Sequence, residues 1–332
     1  MTKLKDIAEV TGFSIATISR VLNHDQTFSA SEETRLTILS AAEKLNYTAS
    51  PSRLAADKKK TPKKLTIGLA YWYSTADEIT DPYYLSIRLA IKDYCETHDL
   101  ELKLFYLLEQ TYEDIKQANL DGLIALGKYS RNEISQLHKL NQHFVLVDCY
   151  SKHPEIDVVM VDLKEATKDI IAYFKSINIH NIGFIGGIEG TLDGKILTDI
   201  RLKTFLKSDH ANQETIYQGE FNADAGYDIM TNIIQQKNIQ PAYIVASDAI
   251  AIGCLKALNE HQIKVPQDVS IISYNNISLA QYTIPALTTI DLNTRHLGQT
   301  AIETLHERIN SNRQLAKKIF IPTQLIKRES SL

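Results

Sequence analysis

The sequence predicts an all-α helix-turn-helix headpiece tied by a short linker to an α/β core of two lobes, each a parallel sheet with helices on both faces. Three observations predict it. Two short helical patterns meet at a glycine within the first 24 residues. Residues 48–64 are polar, basic and interrupted by Pro51 and Pro62, which reads as a linker. From Leu65 onward strand and helix patterns alternate, pause near residue 150, and start again.

In the headpiece, Leu4, Ile7, Ala8 and Val10 recur at helical spacing, and so do Ile15, Ile18, Val21 and Leu22. The two apolar faces can close on each other. Gly12 stands where the chain must turn, and Ser14 is placed to cap the second helix. The predicted helices cover Leu4–Thr11, Ile15–Asn23 and Glu32–Leu45. An ordinary αα-hairpin has the same spacing. The alternative is a DNA reader whose second helix enters the major groove.

In the core, predicted strands at 65–70, 102–107, 122–126 and 144–147 alternate with helices at 83–97, 112–118 and 132–140. A second set follows, with strands at 158–161, 182–185, 215–217, 243–246 and 269–273 and helices at 166–174, 198–206, 225–235 and 250–260. Two such sets imply two similar lobes around a cleft, with ligand at the carboxyl ends of the strands.

The bulk properties narrow the function. At 332 residues, 44% hydrophobic and 23% charged, the chain suits a soluble multidomain protein with a large core. No apolar run is long enough to cross a bilayer, and the amino terminus reads as an amphipathic helix, not a targeting leader. A cytoplasmic protein with no membrane partner is expected. Cys95, Cys149 and Cys254 are far apart and lack zinc spacing, so reduced thiols and no metal are expected. No cofactor is expected either. The net charge of −4 conceals a division: residues 1–64 carry 11 Lys/Arg against 7 Asp/Glu, and the remainder carries 25 against 33. A positive head on a negative body confines phosphate attraction to the head.

Specific wording sharpens this. Asp6-Ile7-Ala8, Gly12-Phe13-Ser14, Ala16-Thr17-Ile18-Ser19-Arg20-Val21-Leu22-Asn23, Ser31-Glu32-Glu33-Thr34-Arg35 and Leu45-Asn46-Tyr47 resemble the headpiece of the LacI/GalR family of sugar-responsive bacterial repressors. The resemblance runs through nearly the whole chain. It implies a headpiece at 1–47, a hinge at 48–64 and an effector-binding, dimerising core at 65–332, built like periplasmic sugar-binding proteins. The implied lobes are about 65–155 with 291–319, and about 156–290 with 320–332. Crossings are implied near 151–157, 288–294 and 320–328. The implied partners are double-stranded operator DNA, a small sugar and a second copy of the chain. The homodimer matches a palindromic site, with helix 84–94 as an interface contributor.

For DNA reading, Ile15 and Ala16 start the second helix and suit a thymine methyl. The alternative for Ile15 is packing inside the head. Arg20 is a guanine reader or a phosphate clamp. Ser14, Thr17, Ser19 and Asn23 are candidates for phosphate or base hydrogen bonds. Relatives push a hinge leucine into the minor groove. Here the position nine past Tyr47 is Ala56, and Leu54 takes the candidate wedge role.

For the effector, Tyr71-Trp72 ends the first core strand, with Trp72 open between site wall and packing. Tyr83 and Tyr84 begin the first core helix, and Asp148 ends the fourth strand. By the resemblance, Arg201 grips sugar hydroxyls and Phe221 forms a wall. Ser247 and Asp248 follow one strand, and Asn275 stands where many relatives carry a carboxylate. Segments 79–85, 182–187 and 245–253 look most like galactose-operon repressors and the evolved-β-galactosidase repressor, so galactose or a β-galactoside is the implied effector. The competing readings are a corepressor that tightens DNA binding, a transport receptor and an enzyme. Residues 182–187 lack the glycine spacing of a nucleotide-binding turn. No nucleophile elbow or zinc-binding helix motif occurs, and no enzyme is expected.

Overall fold

The computed structural model describes residues 3–22, 28, 30–45, 47, 64–311 and 313–332. The chain divides into two compact units, 1–63 and 64–332. Asn23, Leu54 and the predicted linker up to Lys63 lie outside the described residues.

In the first unit, α1 (Leu4–Thr11), α2 (Ile15–Leu22) and α3 (Glu32–Lys44) pack around Ile7, Ile18, Val21, Ile38, Ala41 and Ala42. Gly12 adopts φ 73°, the left-handed conformation that suits glycine, and its N–H bonds the Ala8 carbonyl, ending α1. The Thr17 N–H donates to Ser14 Oγ at 3.1 Å, capping α2. Ser31 caps α3 in the same way through Thr34 N.

The second unit holds two six-stranded sheets. The first comprises β1 (Thr66–Tyr71), β2 (Glu101–Tyr106), β3 (Gly122–Leu126), β4 (Phe144–Val147), β5 (Asp157–Val161) and β13 (Lys318–Ile321), in the order β13-β5-β4-β3-β1-β2. All its pairings are parallel. The second comprises β6 (Ile182–Gly187), β9 (Ile216–Gly219), β10 (Ala242–Val245), β11 (Ser270–Tyr274), β12 (Thr288–Asp291) and β14 (Gln324–Ile326), ordered β14-β12-β11-β10-β6-β9. Only β14 runs antiparallel to its neighbour. A two-stranded hairpin, β7 (Glu189–Gly190) and β8 (Ile196–Leu197), follows β6.

The helices are α4 (Thr75–Thr80), α5 (Tyr83–Thr97), α6 (Tyr112–Gln117), α7 (Arg131–Leu140), α8 (Leu163–Ser176), α9 (Ile200–Phe205), α10 (Ala223–Gln235), α11 (Asp248–Glu260) and α12 (Thr294–Ser311). In each sheet the first strand of its set, β1 or β6, lies between the second and the third. The order therefore reverses beside it, and crevices open at the strands' carboxyl ends.

One boundary differs from the expectation. Residues 157–161, assigned to the second lobe by analogy, pair with β4 and β13 in the first sheet. The chain crosses after Val161, not at 151–157. Asp157 explains the position. Its fully buried carboxylate is held by Arg308 and Arg313 at 3.0 Å, anchoring the start of β5 beneath α12. Such a buried charge is tolerated only when paired. The later crossings fall between β12 and α12 and between β13 and β14.

Candidate DNA-reading helix and effector cleft

On α2, Ile18 and Val21 face the head core, which leaves Ile15, Ala16 and Arg20 exposed at the opposite side. Ile15 is 48% exposed, so it does not serve the core. Ser14 and Thr17 bond each other at 2.9 Å, a geometry that serves the helix start first. The Arg20 guanidinium lies 5.4 Å from the Phe28 ring centroid, a cation–π contact that steadies the long side chain. Ser19 is partly buried beside it.

A cavity of about 500 Å³ lies between the lobes of the second unit. Trp72, Tyr83, Tyr84, Asp148, Arg201, Phe221, Ser247 and Asn275 all line it. They come from segments that follow β1, β4, β9, β10 and β11, together with α5 and α9. Their polar groups converge. Tyr84 Oη donates to Asp148 Oδ2 at 2.8 Å, and Lys128 Nζ reaches the same oxygen at 2.9 Å. Glu189, on β7 of the other lobe, is 4.0 Å from Lys128. Burial alone depresses the Lys128 ammonium, but Asp148 and Glu189 overcome it and raise the value. Burial raises Glu189 and holds the Tyr83 and Tyr84 phenols protonated.

Arg201 is fixed from three directions. Its Nε contacts both Asp199 oxygens at 2.9 and 2.8 Å, Nη1 donates to the Ala246 carbonyl at 2.5 Å, and Nη2 lies 2.7 Å from Asp199. The Phe221 and Tyr274 rings lie 5.4 and 5.5 Å from its guanidinium carbon. Burial works against both charges, yet the pairing lowers Asp199 and raises Arg201. Gly187 makes the Phe221 position possible: a β-carbon there would lie 2.1 Å from the ring. At Gly186 an added β-carbon would instead lie 2.6 Å from the Phe184 ring.

Two candidates stand off the cavity. Tyr71 is fully buried in β1, edge-on to Tyr106. Asp248 is fully buried at the start of α11. It accepts from Ser273 Oγ, from Thr289 Oγ1 at 2.7 Å and from Ile277 N at 2.8 Å. Burial nevertheless pushes its carboxyl up to about 7. Both residues sit next to true cavity residues, so only backbone direction separates Tyr71 from Trp72 and Asp248 from Ser247.

The sequence reading left Lys128, Glu189 and Asp81 out of the site. Lys128 follows β3 just as Asp148 follows β4, so the same strand-end rule applied to every strand finds it. Asp81 caps the end of α4 and is raised to about 6 by burial, against the pull of Tyr83 N, Arg201 and Asn275. Glu189 has no local signal, because its partners belong to the other lobe.

Among the described residues, His138, His153 and Glu155 bring ligand-type atoms within 4.8 Å of one another. None of the three lines the effector cavity. His138 Nε2 lies 3.6 Å from Glu155. The three cysteines are free thiols.

Residues 3–50 match the family described as "Bacterial regulatory proteins, lacI family", and residues 171–331 match a "Periplasmic binding protein-like domain". The HTH-type transcriptional regulator GalR of Lacticaseibacillus casei is 38% identical over 341 residues, covering 100% of both chains. The chain belongs to the LacI family of bacterial transcriptional regulators. The HTH-type transcriptional regulator GanR of Bacillus subtilis (strain 168) is a further LacI-family relative, 34% identical over 340 residues and matched over 99% of each chain. A crystal structure of the lac repressor dimer bound to operator and the anti-inducer ONPF shares the fold. Its TM-score is 0.71 at 22% identity, covering 100% of this chain and 99% of that one. This LacI-family regulator is thus a DNA-binding transcriptional regulator with a two-lobed α/β core. None of its described helices is long and apolar enough to cross a membrane.

Proposed function

We propose that the protein represses a sugar-utilisation operon in the cytoplasm and leaves a palindromic operator when galactose or a β-galactoside fills the cleft. The lining of that cleft carries the reading. Asp81, Asp148 and Glu189 supply charged acceptors, Lys128 and Arg201 supply donors, and Trp72 and Phe221 supply ring surface. Sugar hydroxyl pairs use charge-assisted bonds of this kind, and the apolar sugar face packs on aromatic rings. Tyr83, Tyr84, Ser247 and Asn275 complete the proposed effector set.

The sign of the charge favours a neutral ligand. Asp77, Asp81, Asp148, Glu189 and Glu220 line the cavity against Lys128 and Arg201, and Arg201 already holds Asp199. A phosphorylated corepressor meets net repulsion there. The likeness to regulators named GalR and GanR supports the choice of galactosides.

The proposed operator readers are Ile15, Ala16 and Arg20, with Ser14, Thr17, Ser19 and Asn23 positioning the helix and Leu54 as the hinge wedge. The active species is a homodimer. Leu279, Tyr282 and Ile284, at 60, 75 and 91% exposure, form an apolar patch on the second lobe suited to self-association. Release follows if the sugar binds the two lobe arrangements unequally.

The test begins by selecting a duplex from a random pool with the full-length protein. Fluorescence anisotropy on that duplex is then followed while galactose, lactose and glucose 6-phosphate are titrated. Release by a galactoside supports the proposal. Tightening by any of the three reverses its sign, and no preference for a palindrome over random duplex removes it.

A further inference from the structure

We infer that the effector is an oligosaccharide and not a single hexose, with its additional sugar residue seated in a second chamber of the cleft. The inference rests on the sugar reading above. The cavity that holds Asp81 and Phe221 does not end at the Lys128–Asp148 ion pair. A second cavity of about 580 Å³ begins at the same place, since Lys128, Asp148, Leu163, Glu189 and Arg201 line both. Beyond those shared residues its walls include Arg131 and Tyr150 from the first lobe and Thr198 and Lys203 from the second. Each chamber lies in the size range of sites for drug-sized ligands. A hexose is smaller than such a ligand and occupies one chamber at most.

The side chains of the second chamber suit a sugar ring. Tyr150 is 53% exposed, leaving its ring available for stacking. The polar ends of Arg131, Thr198 and Lys203 have no hydrogen-bond or ion-pair partner among the described residues, although each borders the chamber. The first chamber is rich in acceptors, through Asp77, Asp81 and Glu220. The second adds donors on Arg131 and Lys203. A glycan lying across both meets acceptors at one end and donors at the other. Its middle falls beside Lys128, Asp148 and Glu189, the group shared by the two chambers.

The test is calorimetry on the full-length protein with galactose, β-1,4-galactobiose and β-1,4-galactotriose. The expected result is at least tenfold tighter binding of the disaccharide or trisaccharide than of galactose. Tyr150→Ala and Thr198→Val should each remove most of that gain while leaving galactose affinity within about twofold. Galactose binding as tightly as the longer sugars overturns the inference and leaves the sugar reading standing. Equal weakening of all three sugars by the variants also overturns it, because the chamber is then only structural support. A change confined to association rate, seen by stopped flow, overturns it as well and makes the chamber an entrance. Absence of binding by all three sugars removes the galactoside reading itself.

Discussion

The side-chain amide of Asn275, on the second lobe, reaches both carboxylate oxygens of Asp81, on the first lobe, at 3.4 Å each. The pair joins the lobes across the cleft. It also gives the amide at position 275 a role that a carboxylate there could not fill. An aspartate here faces Asp81 with like charge in a buried site. Asn275→Asp should therefore push Asp81 further up and weaken sugar binding about tenfold at pH 7, with partial recovery as the pH is raised and Asp81 ionises. Calorimetry at two pH values checks this.

Asp81 itself sets a pH response. Its carboxyl is raised to about 6 by burial, so it is mostly ionised at pH 7.5 and mostly protonated at pH 5.5. A protonated carboxyl loses acceptor capacity for a sugar hydroxyl. Affinity should fall ~4-fold over that drop, and Asp81→Asn should flatten the response. An unchanged slope in the variant excludes Asp81 as the sensing group.

Asp248 carries a structural load. Asp248→Ala leaves two buried donors on Ser273 and Thr289 and a part-buried one on Ile277 without their acceptor, at a cost of about 3 kcal/mol in stability. Galactoside affinity of the folded variant should remain within about twofold, because Asp248 does not line the cavity. The raised carboxyl also predicts a sign. The folded state holds this proton more tightly than the unfolded one, so its contribution to stability declines as pH rises from about 4 to about 7. Urea titrations across that range, compared with Asp248→Asn, isolate the effect.

Gly187→Ala tests the aromatic wall without touching a polar group. The added methyl displaces the half-buried Phe221 ring, which packs against both core clusters and under Arg201. Sugar affinity should drop about tenfold, with a modest loss of melting temperature. A large loss of stability with unaltered affinity contradicts the role given to Phe221.

At the DNA end, Arg20→Ala should relax discrimination at one base position by about 1–3 kcal/mol. Ile15→Ala should relax a different, thymine-containing position. If Arg20 is a phosphate clamp instead, its loss weakens all sequences alike and lowers the salt slope by about one. Leu54→Ala should weaken the selected operator more than random duplex if that side chain wedges into the minor groove. Anisotropy against a panel of single-base variants separates these cases.

Much of the fold was legible because its strands are buried on both faces and its helices are amphipathic. Tyr83–Thr97, Gly122–Leu126 and Phe144–Val147 fall where their patterns place them. The helix Thr294–Ser311 escaped because its few apolar residues, such as Leu297, Ala301 and Leu305, lie among many polar ones, and the segment was assigned to the first lobe with no element of its own. At the site, residue type after a strand identified Trp72, Asp148 and Asn275. It did not separate Ser247 from Asp248, whose roles diverge through one step of backbone direction. Glu189 was invisible because an ion pair between lobes leaves no mark on either local sequence.

The last strands, Lys318–Ile321 and Gln324–Ile326, each close one edge of a different sheet, with two residues between them. A premature stop codon after Ser311 therefore strips both halves of the sensor at once, exposing two unpaired edges open to adhesion between chains. Neither half corresponds to one continuous stretch of gene, so dissecting this receptor by simple deletion yields sticky fragments in place of separable modules.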